Sequence, residues 1–196
     1  MSLSRRDLIR SLSLTAAAGS MLRVVPLAAA ETAHRMAKAH KAASFSGEYA
    51  PKFFPERQYK TLRALCHAII PPDQESGGAV EAGAPEFIDL LSSENKNLQL
   101  QLGGGLLWLD ATCLERYGQT FLQCASGQRA EMLDLIAFRK NSDRDPRLSP
   151  GIEFFSTLRK YTADGFFTSE IGIKYLGYIG NTYLKEFPGC PAIPEA

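Results

Sequence analysis

Apolar residues recur along this chain at helical spacing. Leu62, Leu65, Cys66 and Ile69 fall at i, i+3, i+4 and i+7, which places them on one face of an α-helix. Pro55 suits the first turn of that helix, and Pro71-Pro72 stop it. Residues 73–83 contain Gly77, Gly78 and Gly83 and read as a loop. Pro85 opens a second, shorter helix carrying Phe87, Ile88 and Leu91. Leu98, Leu102, Leu106, Leu109, Cys113 and Tyr117 keep helical spacing across Gly103-Gly104-Gly105. A helical glycine costs about 1 kcal/mol against alanine. The pattern therefore fits either one helix with close backbone packing or two helices with a break. Ser126 can cap a further helix with Met132, Leu133, Ile136 and Ala137 on its apolar side. Residues 141–147 read as a charged loop. Ser149-Pro150 then opens a helix bearing Phe154, Phe155, Leu158 and Tyr161. From Gly165 onward the pattern becomes irregular.

Composition points the same way. Beyond residue 30, Val80 is the only valine, while leucine and alanine dominate. β-Branched residues favour strands, and leucine and alanine favour helices. The expected fold is all-α: a single compact domain of five or six helices with an irregular C-terminal segment rich in glycine and aromatics. Residues 55–196 hold that domain, and residues 31–54 read as a flexible lead-in with little apolar face.

The first 30 residues follow a different logic. Ser4-Arg5-Arg6-Asp7-Leu8-Ile9-Arg10 reads as a twin-arginine export signal centred on Arg5 and Arg6. A weakly apolar run from Leu12 to Leu27 follows, and then Ala28-Ala29-Ala30. A basic start, an apolar middle and small residues before the cut are the parts of a signal peptide, with cleavage expected after Ala30. Arg23 inside the run argues against a permanent anchor, because a charge near a span's centre costs about 2.5–3.5 kcal/mol. The twin-arginine route exports folded proteins, so a periplasmic location is expected, with the translocase as a transient partner.

Removing the four arginines and one aspartate of residues 1–30 from 22 basic and 21 acidic residues leaves 18 against 20, a net charge of −2. No basic block appears, which argues against nucleic acid as a partner. Four cysteines remain, Cys66, Cys113, Cys124 and Cys190, and none sits in a C-x-x-C pair. Their spacing does not resemble a zinc or iron–sulfur site. Cys113 and Cys124 are the expected disulfide, since Gly118 lets the chain turn back between them. Cys66 lies on an apolar stripe and reads as a buried thiol. His34, His40 and His67 are the only histidines, and no nucleophile–base or metal-ligand arrangement is visible. Gly103-Gly104-Gly105 lacks the preceding strand that a dinucleotide site needs. No catalytic, cofactor or metal residue is therefore assigned on this chain.

The C-terminal quarter stands out. Nine of the chain's 19 aromatic residues lie between Phe154 and Phe187, interleaved with Gly165, Gly172, Gly177, Gly180 and Gly189. Aromatics at this density suit a binding surface as well as a core. Phe166, Phe167, Tyr175 and Tyr178 are the candidate anchors for docking a partner.

Several segments, in this order, resemble the gluconate 2-dehydrogenase subunit 3 family. They are Glu56-Arg57 to Thr61-Leu62 with Ile69-Ile70-Pro71, then Gly77-Gly78-Ala79 to Ala82-Gly83, then Gly105-Leu106-Leu107-Trp108-Leu109-Asp110. Tyr117-Gly118, Phe121 and Phe154-Phe155 follow. Gly165-Phe166-Phe167-Thr168-Ser169-Glu170-Ile171-Gly172, Leu176-Gly177-Tyr178-Ile179-Gly180-Asn181 and Pro188-Gly189-Cys190 complete the set. The resemblance implies the small subunit of a bacterial sugar or sugar-acid dehydrogenase complex. In such complexes a flavoprotein of the glucose–methanol–choline (GMC) oxidoreductase type holds FAD, and a multihaem cytochrome c often takes the electrons. The small subunit carries the export signal and helps the flavoprotein mature and cross the membrane. The alternative is a stand-alone periplasmic helical domain with a binding or enzymatic role.

Overall fold

The computed structural model of the protein describes residues 27–43 and 49–180. Among these residues there are eight helices and no strand. They are α1 (Leu27–Ala43), α2 (Glu56–Ile69), α3 (Ala84–Glu94), α4 (Gly104–Tyr117), α5 (Ser126–Ala137), α6 (Lys140–Arg144), α7 (Ser149–Phe167) and α8 (Glu170–Tyr175). The all-α expectation holds. The helix number exceeds five or six because α1 and α6 form where a lead-in and a charged loop were expected, and α8 forms in the irregular segment.

The longest helix, α7, is the axis of the domain. It packs against α1, α2, α3, α4, α5 and α8. The periodic residues of the sequence form the core: Leu62, Leu65, Cys66, Leu102, Leu106, Leu109, Cys113, Met132 and Ile136, together with Leu158 of α7 itself, are all buried. Burial of such side chains is worth about 1.5–3 kcal/mol each.

The three-glycine run is resolved in favour of one continuous rod. A turn at Lys96–Leu98 passes into a π-helical stretch, Gln99–Gly103, and then directly into α4. The glycines serve close approach. A Cβ on Gly105 would lie 2.0 Å from the Phe154 ring, and one on Gly151 would lie 2.1 Å from the Trp108 ring. α4 and α7 are thus pressed together by an aromatic ring on each helix seated on a glycine of the other. Gly118 ends α4 in the left-handed conformation, φ 70°, with its N–H on the Leu114 carbonyl at 2.9 Å. The following turn is pinned back onto α4, because the Phe121 N–H donates to Asp110 at 3.0 Å.

Asp89 organises the opposite side. Its carboxylate is fully buried on α3. It accepts from the Tyr49 hydroxyl at 2.8 Å and from the backbone N–H groups of Lys52, Phe53 and Phe54 at 2.7, 3.1 and 2.9 Å. Four donors satisfy the buried charge and fasten the chain before α2 to α3.

Residues 31–43 belong to α1, where the sequence suggested a mobile lead-in. Ala30, Ala33 and Ala37 are buried, and α1 lies on α3 and α7. An alanine face has weak hydrophobic contrast, yet it allows close helix packing.

Candidate partner-docking surface

The surface is built where α7 ends and α8 turns away. Irregular chain was expected from Gly165 onward, but α7 continues to Phe167. Gly165 permits this by lying against α3: a Cβ there would meet Phe87 at 3.0 Å and Ala84 at 3.1 Å. Thr168 closes the helix, its hydroxyl donating to the Asp164 carbonyl at 2.6 Å. Ser169 then does two jobs. Its hydroxyl donates to the Phe166 carbonyl at 2.7 Å and accepts from the Gly172 N–H at 3.0 Å, which caps α8. Gly172 brings α8 onto the end of α7, since a Cβ there would lie 2.1 Å from the Phe166 carbonyl oxygen. Gly177, at φ 65°, ends α8. Its N–H meets the Lys174 carbonyl at 3.0 Å, and the Tyr178 N–H meets the Ile173 carbonyl at 3.2 Å. This is the paired bonding of a Schellman cap.

This corner sorts the four predicted anchors. Phe166 is only 2% exposed; it belongs to the core, and its assignment as a docking anchor is corrected. Phe167, Tyr175 and Tyr178 are 41%, 48% and 51% exposed, and beside them Leu176 and Ile179 reach 58% and 84%. Leu176 and Ile179 escaped the sequence reading, which looked for aromatics. Phe166 still shapes the surface from beneath: its ring meets Phe167 and Tyr175 edge-on, with centroids 5.1 and 6.3 Å apart. Buried and exposed aromatics are thereby coupled. A cavity of about 400 Å³ lies alongside, lined by Glu75, Ser76, Gly77, Ile171, Lys174 and Tyr175. Half of the ten large hydrophobics exposed among the described residues fall in this one stretch, residues 167–179, and clustered apolar exposure marks interaction sites.

The remaining predicted residues fall elsewhere. Arg5 and Arg6 lie outside the described residues, as does Cys190. Ala30 is buried within α1. Cys113 and Cys124 do come together, but as buried free thiols with no disulfide between them, which corrects the expected pairing. Burial pushes the Cys113 thiol up to about 12, and the neighbouring Cys124 thiol adds to the shift. Cys66 is a buried thiol as expected, 3.5 Å from the Thr162 hydroxyl; burial holds it at about 12 too. Thiols so held carry almost no thiolate at neutral pH and are poor nucleophiles.

Among the described residues no three His, Cys, Asp or Glu side chains gather to hold a metal ion. None of the described helices is long and apolar enough to cross a membrane. His34, placed in a lead-in by the sequence, packs in α1 with its ring 5.0 Å from that of Phe87 and stacked at 19°. Its Nε2 lies 3.1 Å from the Thr168 hydroxyl. Burial lowers its pKa below the ordinary 6.5, against opposing effects of the Gly165 backbone and Glu170.

Among the described residues the domain is all-helical, its buried Asp89 is satisfied by four donors, and Phe167, Tyr175, Leu176, Tyr178 and Ile179 are exposed where α7 and α8 end. A family model, that of gluconate 2-dehydrogenase subunit 3, matches residues 56–189. The chain belongs to this family, whose members are subunits of a dehydrogenase complex. No curated protein and no solved structure gives a match.

Proposed function

We propose that this chain is the non-catalytic small subunit of a periplasmic, FAD-dependent gluconate or sugar dehydrogenase complex. It binds a GMC-type flavoprotein and escorts it, already folded, through the twin-arginine translocase. The observation that carries this reading is the family match across residues 56–189. The exposed corner at Phe167, Tyr175, Leu176, Tyr178 and Ile179 supplies a docking surface, and Arg5-Arg6 supplies an export signal for a passenger. FAD resides in the large subunit, and a multihaem cytochrome c completes the electron path.

Division of labour follows from the chemistry. Hydride abstraction from a CH–OH group requires a bound redox cofactor, which the flavoprotein provides. This chain contributes binding energy and the export address. The test is co-expression of the tagged small subunit with a GMC-type flavoprotein from the same source, followed by fractionation. The expected result is a flavin spectrum in the co-purified material and dehydrogenase activity in the periplasm, both lost from that compartment when Arg5 and Arg6 are replaced by lysine. Periplasmic activity that survives the double replacement contradicts the escort role.

A further inference from the structure

Ala30, where the leader is expected to end, is also a buried residue of α1. Ala30, Ala33 and Ala37 are spaced three and four apart and are all buried, so they form one narrow face. That face lies on α3 and α7. His34 adds the stack on Phe87 of α3 and the hydrogen bond to Thr168 at the end of α7. Lys38 Nζ reaches Glu170 of α8 at 3.2 Å, an exposed pair. The helix is therefore fastened to the same corner that carries Phe167 and Tyr175.

The Ala30–Glu31 peptide bond lies inside this docked helix. Proteolysis favours exposed, open chain. A bond within a packed helix becomes available only when the helix opens locally, and cleavage then tracks the population of the open form. A chain exported in the folded state reaches the peptidase with α1 already in place. We propose that α1 guards its own processing site: the leader is cut after Ala30 only when α1 has come off the body. The undocking of α1 then sets the rate at which the mature N-terminus appears. This rests on the export reading of residues 1–30, and the test uses the chain without the flavoprotein.

The experiment uses the purified full-length chain and purified leader peptidase in detergent, with product mass read over time. Ala33→Glu drives a charge into the buried face. His34→Ala removes the stack and the hydrogen bond without adding charge. Lys38→Ala alters only the exposed pair, and a chain unfolded in denaturant and diluted into the assay gives the unprotected rate. The wild type and Lys38→Ala should be cut slowly, Ala33→Glu about tenfold or more faster at the same bond, and His34→Ala in between. Far-UV melting shows whether the body stays folded in each variant. Wild-type cleavage as fast as that of the unfolded chain overturns the proposal, and so does a chain that is not cut after Ala30 even when unfolded.

Discussion

Two adjacent glycines in α4 should respond to the same substitution with opposite signs. A Cβ at Gly105 would sit 2.0, 2.2 and 2.6 Å from Cδ2, Cγ and Cβ of Phe154. Rotating the Phe154 ring relieves only the first two contacts, because its own Cβ is part of the clash. Phe154 is 3% exposed and has nowhere to go, so α4 and α7 must move apart. Overpacking of this kind costs roughly 1–3 kcal/mol; here it falls at the upper end. Replacing a helical glycine by alanine returns about 1 kcal/mol. Gly105→Ala should therefore be destabilised by a net amount of about 1–2 kcal/mol, which lowers Tm by roughly 2–8 °C for a domain of this size. At Gly104 a Cβ meets nothing within 4 Å, and φ is −62°, an ordinary helical value. Gly104→Ala should gain about 0.4–1 kcal/mol through the unfolded chain and raise Tm by roughly 1–4 °C. Thermal melting of both variants beside the wild type, followed by far-UV circular dichroism, decides the matter. Shifts of the same sign would refute the close contact between α4 and α7.

Asp89→Ala should remove about 3 kcal/mol or more, because the buried Tyr49 hydroxyl and Phe54 N–H lose this acceptor and each such loss costs about 1–3 kcal/mol; urea unfolding reads it, and a change under 1 kcal/mol contradicts the hub. For His34, burial lowers the folded pKa below 6.5, so the unfolded chain binds the extra proton first. The stabilisation is present above pH 6.5 and is lost as pH falls from 6.5 toward the folded value. Tm measured across that window should fall less steeply in His34→Gln than in the wild type, and parallel curves would contradict the burial. Cys113 and Cys124 should resist a maleimide in the native protein at neutral pH and label fully in denaturant without reductant; a Cys113–Cys124 linked peptide would contradict the free thiols.

The parts legible in the sequence were those with strong contrast. The stripes Leu62–Leu65–Cys66 and Leu102–Leu106–Leu109–Cys113 became buried faces, since leucine against polar neighbours marks helical period clearly. α1 stayed hidden because its packing face is alanine, which contrasts little with its surroundings. Glycine was ambiguous: the Gly103–Gly105 run fitted close packing or a break, and Gly165 read as the start of irregular chain, but Gly105 and Gly165 each mark a place where another element presses close. Asp89 gave no local sign of its role, since its four donors come from residues 49–54. The aromatic cluster located the open corner, yet composition could not separate Phe166 from Phe167. Neighbours on a helix point about 100° apart, and only tertiary packing decides which one turns inward.

Partner capture by the corner at the end of α7 tests the central claim most directly. Tagged chain carrying Phe167→Ala, Tyr175→Ala or Tyr178→Ala is co-expressed with the flavoprotein, and bound flavin per small subunit is measured alongside Tm. A docking anchor costs about 2 kcal/mol or more on truncation, roughly a thirtyfold loss of affinity. These three variants should stay close to the wild-type Tm, losing at most the edge contacts of Phe167 and Tyr175 with Phe166, and should lose flavin. Phe166→Ala, in the core, should melt earlier, at a cost of about 3–5 kcal/mol. Undiminished flavin capture by all three exposed variants, with Tm unchanged, would contradict the corner as the docking surface.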